Sequence, residues 1–524
     1  MDMTEQSPPP LPSPPPSDNN NKSKLSSSIK IPTSAWITLA ILGSSLLITM
    51  YGETMLLPAI PDIIRDFNIS YNTSSWILTA YLIAGAVMTP IAGKLSDIYG
   101  RKKMVIIIMI IYILGISIGG FSTNISFLLA ARIIQGVGIS MFPIAFGIIR
   151  DQFPKEKLAI GIGIFSSMFA AGSVIGLAVG GSIIENIGWR ATFFSIIPIA
   201  VALWIIIGRF THDSTDQTLQ QTESETNQSE YCVSCGKVIV TPRFIPIDIK
   251  GAISLSVTII SFLLVLTYLG EGSSINSFEV IGFLVAGIVS LILFVYVEKR
   301  SKSPLIDLKL MVHKIILPAN IIIMIFGITM FMVYQTIPVL VRSPQPLGFG
   351  GDAIATANVQ LPFMIIFLVL APSSGFIISK LGNLKPTLVG SIISTIGFFS
   401  LFLFHSTELL VAVNLAIIAA GLSLMQVGGF NIAIEATPRK FSGISLGMTV
   451  VLNLIGSSIG PAIAAIYMQA NQATVKGIIG SFPSSASYNG IFLTAAIISI
   501  VSIVLVIIIK RRMMSLNSTT IDHS

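Results

Sequence analysis

Charge is scarce in this chain: Lys, Arg, Asp and Glu make up 10% of its 524 residues. Soluble domains carry about 25% charged residues, so a water-facing globular surface is excluded. Histidine is nearly absent, and the four present stand apart at 212, 313, 405 and 523. With no His-Glu-x-x-His run, an intramembrane metalloprotease is ruled out. No Gly-Lys-Ser/Thr loop occurs either, which removes an ATP-driven pump with its phosphate cradle. The only two cysteines fall in one polar loop, Cys232-Val-Ser-Cys235. They look like half of a zinc knuckle, but zinc asks for four ligands and only His212 and scattered acids lie near. Cys232 and Cys235 are therefore read as a dithiol without a metal, zinc being the alternative.

Hydrophobic residues, by contrast, make up 53% of the chain, and the mean hydropathy is +0.85. From residue 35 the apolar residues gather into fourteen runs, near 38–60, 74–93, 104–121, 126–149, 158–184, 190–208, 250–270, 278–297, 315–340, 353–379, 386–404, 409–433, 442–469 and 489–509. About 20 residues cross a bilayer as a helix, so the chain reads as an all-α polytopic membrane protein. The net charge of +7 is not a nucleic-acid signature, because the basic residues sit in the links between apolar runs. With the amino terminus inside, 26 of the 31 Lys and Arg fall on the inner side. Outside are only Arg65, Arg190, Arg342 and Lys476, and Arg132 lies within a span. That bias places both termini in the cytoplasm of a cell-membrane protein.

The organisation follows. Residues 1–34, with seven prolines between Pro8 and Pro16 followed by Ser, Asn and Lys, form a polar tail with nothing to bury. No short apolar core follows an early basic region, so no cleaved signal peptide is expected. A six-span half at 35–208, a cytoplasmic loop at 209–249 and two extra spans at 250–297 come next. A linker at 298–314, a second six-span half at 315–509 and a tail at 510–524 complete the plan. The halves repeat. Pro154, Gly163, Gly172 and Gly176 recur at an offset of 284 as Pro438, Gly447, Gly456 and Gly460, and Asp151 maps onto Glu435. Parallel halves of this kind are a transporter architecture.

The link Gly93-Lys94-Leu-Ser-Asp97-Ile-Tyr-Gly100-Arg101-Lys102-Lys103 closely resembles the signature between spans 2 and 3 of the major facilitator superfamily. Ala59-Ile-Pro61, Arg132-Ile-Ile-Gln135-Gly136-Val-Gly138, Phe153-Pro154, Gly188-Trp189-Arg190 and Pro304-Leu-Ile-Asp307-Leu308 are similar, in that order, to motifs of its fourteen-span drug:proton antiporter branch. The resemblance implies the major facilitator fold: two pseudo-symmetric six-helix halves plus two extra spans. It further implies that Gly93, Asp97, Gly100, Arg101 and Lys102 help hold a cytoplasmic gate. Gly172, Gly176, Gly180 and Gly181, with Gly163, Gly447, Gly456, Gly460 and Pro461, would be a helix-packing signature at the contact between the halves. Ordinary small-residue packing is the simpler reading of that stripe. Where the branch has Pro after the third Gly, Leu177 stands here.

An ionisable group inside a span is costly, by about 2.5–3.5 kcal/mol on insertion scales, and is by default a functional residue. Glu53 and Arg132 are the two that sit well inside. A carboxyl removed from water exchanges its proton nearer neutrality, and a neighbouring cation opposes that. Both residues fall about 10 Å below the same surface, so they are expected to meet and couple protons to substrate. A static ion pair is the alternative. The branch's own acid falls at Gly52, one residue earlier. The resulting expectation is a secondary transporter, not an enzyme, that needs no cofactor. It would export amphipathic or cationic small molecules by alternating access, driven by a proton gradient. Its partners would be the bilayer, substrate and protons, not nucleic acid, and it would act as a monomer. An exporter or uniporter of an endogenous metabolite is the second reading; a channel or receptor does not account for two repeated halves.

Overall fold

The computed structural model describes residues 31–154, 158–210, 248–270, 273–301, 304, 308–437, 442–478 and 480–521. The cysteine loop and residues 1–30 lie outside the described residues. In hydrocarbon every backbone N–H and C=O must be satisfied within the protein, so an apolar chain of this length resolves into helices. They are α1 (Thr33–Thr54), α2 (Ile60–Phe67), α3 (Tyr71–Tyr99), α4 (Arg101–Gly120), α5 (Ile125–Gly136), α6 (Met141–Gln152), α7 (Leu158–Ile187) and α8 (Arg190–Phe210). After the gap come α9 (Ile249–Gly270), α10 (Phe278–Arg300), a turn α11 (Leu308–Met311), α12 (Ile316–Arg342) and α13 (Ala353–Leu381). The chain continues with α14 (Leu384–Leu403), α15 (Glu408–Glu435), α16 (Ser442–Ala470) and α17 (Ser485–Ile521). A two-stranded antiparallel hairpin of β1 (Gln472–Thr474) and β2 (Ser481–Pro483) caps the α16–α17 turn. Among the described residues 13 helical stretches are long and apolar enough to cross a membrane. The fifth expected span adds α7, which is 30 residues long.

Successive spans alternate in direction. The side on which α1 begins is here the near side, and the opposite one the far side. Polar residues punctuate the far ends: Ser70, Asn124, Ser277, Asp352 and Thr407 each accept a backbone N–H at the start of α3, α5, α10, α13 and α15. Such caps satisfy an otherwise orphaned donor and are worth about 1 kcal/mol. Within the spans, Ser and Thr hydroxyls bond back to carbonyls one turn earlier, as Ser45 does to Ile41 and Thr49 to Ser45.

Two expectations need correction. The first span does not end near Ile60. α1 stops at Thr54, a 3₁₀ turn covers Leu57–Ala59, and α2 carries on to Phe67. Pro58 and Pro61 lack N–H donors and break the ladder there. The basic link after span 2 is not a loop: α3 runs to Tyr99 and α4 starts at Arg101, leaving Gly100 alone between them. Gly100 has φ 93°, a left-handed conformation that favours glycine.

α12 lies at the centre, with 78% of its span buried, whereas α10 has only 22% buried and turns mainly to lipid. Packing between the two sets of helices runs through α3 against α16 and α7 against α13. α9 and α10 pack on each other, and α9 leans on α16 and α3. One continuous apolar core joins Leu57, Leu78 and Leu177 to Phe326, Val339 and Phe363 across that boundary.

Candidate functional site

Both helices that carry the two intramembrane charges are interrupted beside them. α1 breaks immediately after Glu53, and a 3₁₀ turn at Val137–Ser140 separates α5 from α6 just below Arg132. Gly136 and Gly138 make the second break fit: a Cβ at Gly136 would overlap the Tyr81 carbonyl, and one at Gly138 would stand 2.6 Å from the Tyr112 ring.

Arg132 is 1% exposed and fully engaged. Its Nε donates to the Ile77 carbonyl at 3.0 Å, and Nη1 to the Gly52 carbonyl at 2.9 Å and to Gln135 Oε1 at 2.8 Å. Its guanidinium also lies over the Tyr81 ring, 4.4 Å from the centroid, a contact that gains strength away from water. Tyr81 and Tyr112 in turn donate to the Thr49 and Ile48 carbonyls at 3.1 and 2.9 Å. One arginine and two tyrosines thereby staple α1, α3, α4 and α5 together through backbone carbonyls.

Glu53 is the exception in this shell. It is 6% exposed, yet it makes no hydrogen bond and no ion pair among the described residues. The structure thus brings the acid and the arginine together, since Arg132 bonds the residue next to Glu53, but not as a contact ion pair. Their charges remain in electrostatic reach, and so does the Tyr334 phenol of α12. Gly52 has no room for the branch's acid: a Cβ there would collide with the Tyr112 hydroxyl and stand 2.7 Å from Gln135 Nε2. Among the described residues Gln135 Nε2 makes no hydrogen bond of good geometry.

Opposite Glu53, the second half presents aromatic rings. Tyr334 meets Phe331 at 5.8 Å and Phe363 at 5.2 Å, both edge to face, and Phe363 stacks on Phe367 at 6.0 Å. Among the described residues the Tyr334 hydroxyl bonds the Met364 sulfur alone, at 2.7 Å, a weak acceptor. An acid unpaired among the described residues, within electrostatic reach of Tyr334 and its ring cluster, has the chemistry to hold a cationic or protonated amphiphile. These aromatic and Met residues were not singled out in the sequence, where they read as ordinary apolar span positions. A tyrosine hydroxyl in a span was their only signal.

The far side is held shut between the halves. Arg342, ending α12, donates to both carboxylate oxygens of Asp62, with Nη2–Oδ1 at 2.8 Å, and to the Pro58 carbonyl at 3.1 Å. Glu185 accepts the Ala353 N–H at the start of α13 at 3.1 Å, and Thr79 donates to the Ser458 carbonyl at 3.2 Å. On the near side, Arg101 packs its guanidinium against Gly147 of α6, and Lys94 lies in electrostatic reach of Asp248 and Glu298. Lys102 is half-buried, Gly93 has open space where a Cβ would point, and the Asp97 side chain is outside the described set.

The glycine stripe sits elsewhere than the resemblance implies. Gly172 and Gly176 press on the carbonyls of Leu47 and Tyr51, and Gly180 on that of Met55, so they face α1 within their own half. Of these four, Gly181 alone meets the other half, against Ala353 and Ala357 of α13. Gly456 and Gly460 likewise press on the carbonyls of Met324 and Ile328 of α12, within the second half. Leu47 and Met324, like Tyr51 and Ile328, are 277 positions apart, so the repeat extends into packing. On that register Glu53 corresponds to Met330: the charged site exists in one half only. Gly447 has no neighbour within 4 Å, Pro461 lies inside α16, and the surroundings of Gly163 are outside the described set. Among the described residues no group of three metal-ligating side chains forms.

The chain is 27% identical over 459 residues to multidrug resistance protein 3 of Bacillus subtilis (strain 168), covering 85% of this chain and 82% of that one. It is 25% identical over 443 residues to the tetracenomycin C resistance and export protein of Streptomyces glaucescens, covering 83% and 76%. The crystal structure of the human organic anion transporter MFSD10 superposes with a TM-score of 0.60 at 12% identity, over 90% of this chain and 99% of that one. Residues 42–461 match the family model of the Major Facilitator Superfamily. A multi-pass helical chain with two packed halves, it belongs to the Major Facilitator Superfamily of membrane transporters.

Proposed function

We propose that this transporter expels amphipathic or cationic small molecules from the cell in exchange for protons, through alternating access. The observation that carries the reading is Glu53: a buried carboxyl with neither hydrogen bond nor ion pair among the described residues, near Tyr334 of the second half. A buried charge left unpaired is costly, so the acid is neutral when protonated or paired when a cation arrives. Those two states exclude each other, which is what exchange requires. Arg132 holds the end of α1 in place beside it through the Gly52 carbonyl. The Tyr334, Phe331 and Phe363 rings supply an adaptable apolar wall. Export and drug resistance in the names of relatives at about 25% identity support the same direction.

On this reading the near side is cytoplasmic, both termini lie there, and the Asp62–Arg342 contact closes the outer face. The proton gradient is the energy source, and a monomer suffices because the site lies between halves of one chain. Efflux from everted vesicles across a panel of lipophilic cations tests the proposal. Accumulation should require a pH gradient, acid inside, and collapse when that gradient is dissipated. Counterflow of a labelled compound that ignores the gradient would contradict it.

A further inference from the structure

A cavity of about 500 Å³ opens on the near side of the second half, away from Glu53. It lies among the start of α12, the α13–α14 turn, the end of α15 and the last turns of α17. Its walls are mainly apolar, with Leu384, Leu388, Val506 and Met513 among them, and Lys385 and Lys510 stand at its rim. Both lysines are exposed, and neither forms an ion pair among the described residues. The acid nearby, Glu435, is already engaged by Asn383 Nδ2. Arg512 donates to the Lys314 carbonyl and so pins the end of α17 to the link before α12. Leu381 and Met514 at the mouth are each 56% exposed, which gives the opening an apolar lip beside the two lysines.

We propose that this cavity binds an anionic phospholipid of the near-side leaflet, its phosphate on Lys385 and Lys510 and part of an acyl chain in the apolar pocket. Its volume falls within the range of small-molecule sites. Basic pockets between membrane helices on the cytoplasmic side recognise anionic headgroups in this way. A soluble phosphate shares the headgroup chemistry but gains nothing from the apolar walls, so the lipid is the better fit. An occupied cavity would brace α12, the helix that carries Tyr334, against α15 and α17, so that leaflet composition tunes the transporter.

The test uses full-length protein, delipidated in neutral detergent, and native mass spectrometry with phosphatidylglycerol, phosphatidylcholine and free glycerol phosphate as probes. Wild type should retain phosphatidylglycerol in preference to phosphatidylcholine. Lys385→Gln with Lys510→Gln should reduce that preference about 30-fold, while the Lys385→Arg, Lys510→Arg pair should keep it. Leu388→Trp, which fills the cavity, should weaken both lipids with the lysines intact. A preference that survives both the Gln pair and Leu388→Trp would overturn the proposal. So would displacement of the lipid by glycerol phosphate at equal concentration, which would mark a soluble-phosphate site.

Discussion

Removing Arg342 should open the far side. Its guanidinium crosses between the halves to grip Asp62 and the Pro58 carbonyl, and the two side chains are 15% and 14% exposed. Fully exposed ion pairs contribute up to about 1 kcal/mol, and breaking a fully buried one costs about 3–5 kcal/mol. This pair lies between, at about 2 kcal/mol. Asp62 keeps Arg65 as a neighbour at 3.0 Å, which limits the loss. The contact exists only while the far side is closed, so Arg342→Ala should shift the equilibrium toward the far-open state about 30-fold. Spin labels at Ile187→Cys and Leu409→Cys, both highly exposed at far-side ends of α7 and α15, would report the change by pulsed electron resonance in a Cys232→Ser, Cys235→Ser background. A long-distance population should appear or grow in Arg342→Ala. A distance distribution identical to that of the parent would refute the latch.

Two further outcomes follow from packing and topology. Gly172→Ala forces a methyl onto the Leu47 carbonyl and should lower the thermal midpoint, whereas Gly447→Ala, with nothing within 4 Å, should not. Equal midpoints for the two variants would count against the close approach of α7 to α1. A membrane-impermeant thiol reagent should reach Cys232 and Cys235 only in everted or permeabilised preparations; labelling of intact cells would reverse the proposed orientation.

Apolar run length and the paucity of charge made the spans legible from the sequence, because hydrocarbon leaves the backbone few alternatives. Glu53 and Arg132 stood out for the same reason, and their shared depth led to the expectation that they meet; in the structure Arg132 bonds the Gly52 carbonyl beside Glu53 rather than the carboxylate. What Arg132 actually binds was not legible: its partners are backbone carbonyls of Gly52 and Ile77, which no side-chain pattern encodes. The four-residue spacing of Gly172, Gly176 and Gly180 identified a smooth face but not the helix that fills it. That helix is α1, and its counterpart α12 fills the matching face in the second half, at an offset of 277 where the glycines keep 284. Asp62 and Arg342 were visible only as charges outside the spans, since a pair 280 positions apart leaves no local signal. The breaks beside Glu53 and Arg132 were half visible: Pro58 and Pro61 announce one, but the glycines of the other read as ordinary packing.

The coupling role of Glu53 is tested most directly by Glu53→Gln in proteoliposomes, with a pH gradient imposed and substrate accumulation followed. Gln is close in shape and permanently neutral, so it imitates the protonated acid without disturbing the carbonyl network around Arg132. The variant should insert normally, keep substrate exchange at zero gradient, and fail to concentrate substrate when the gradient is applied. If Glu53→Gln still concentrates substrate in response to the pH gradient, Glu53 is not where protons and substrate are coupled.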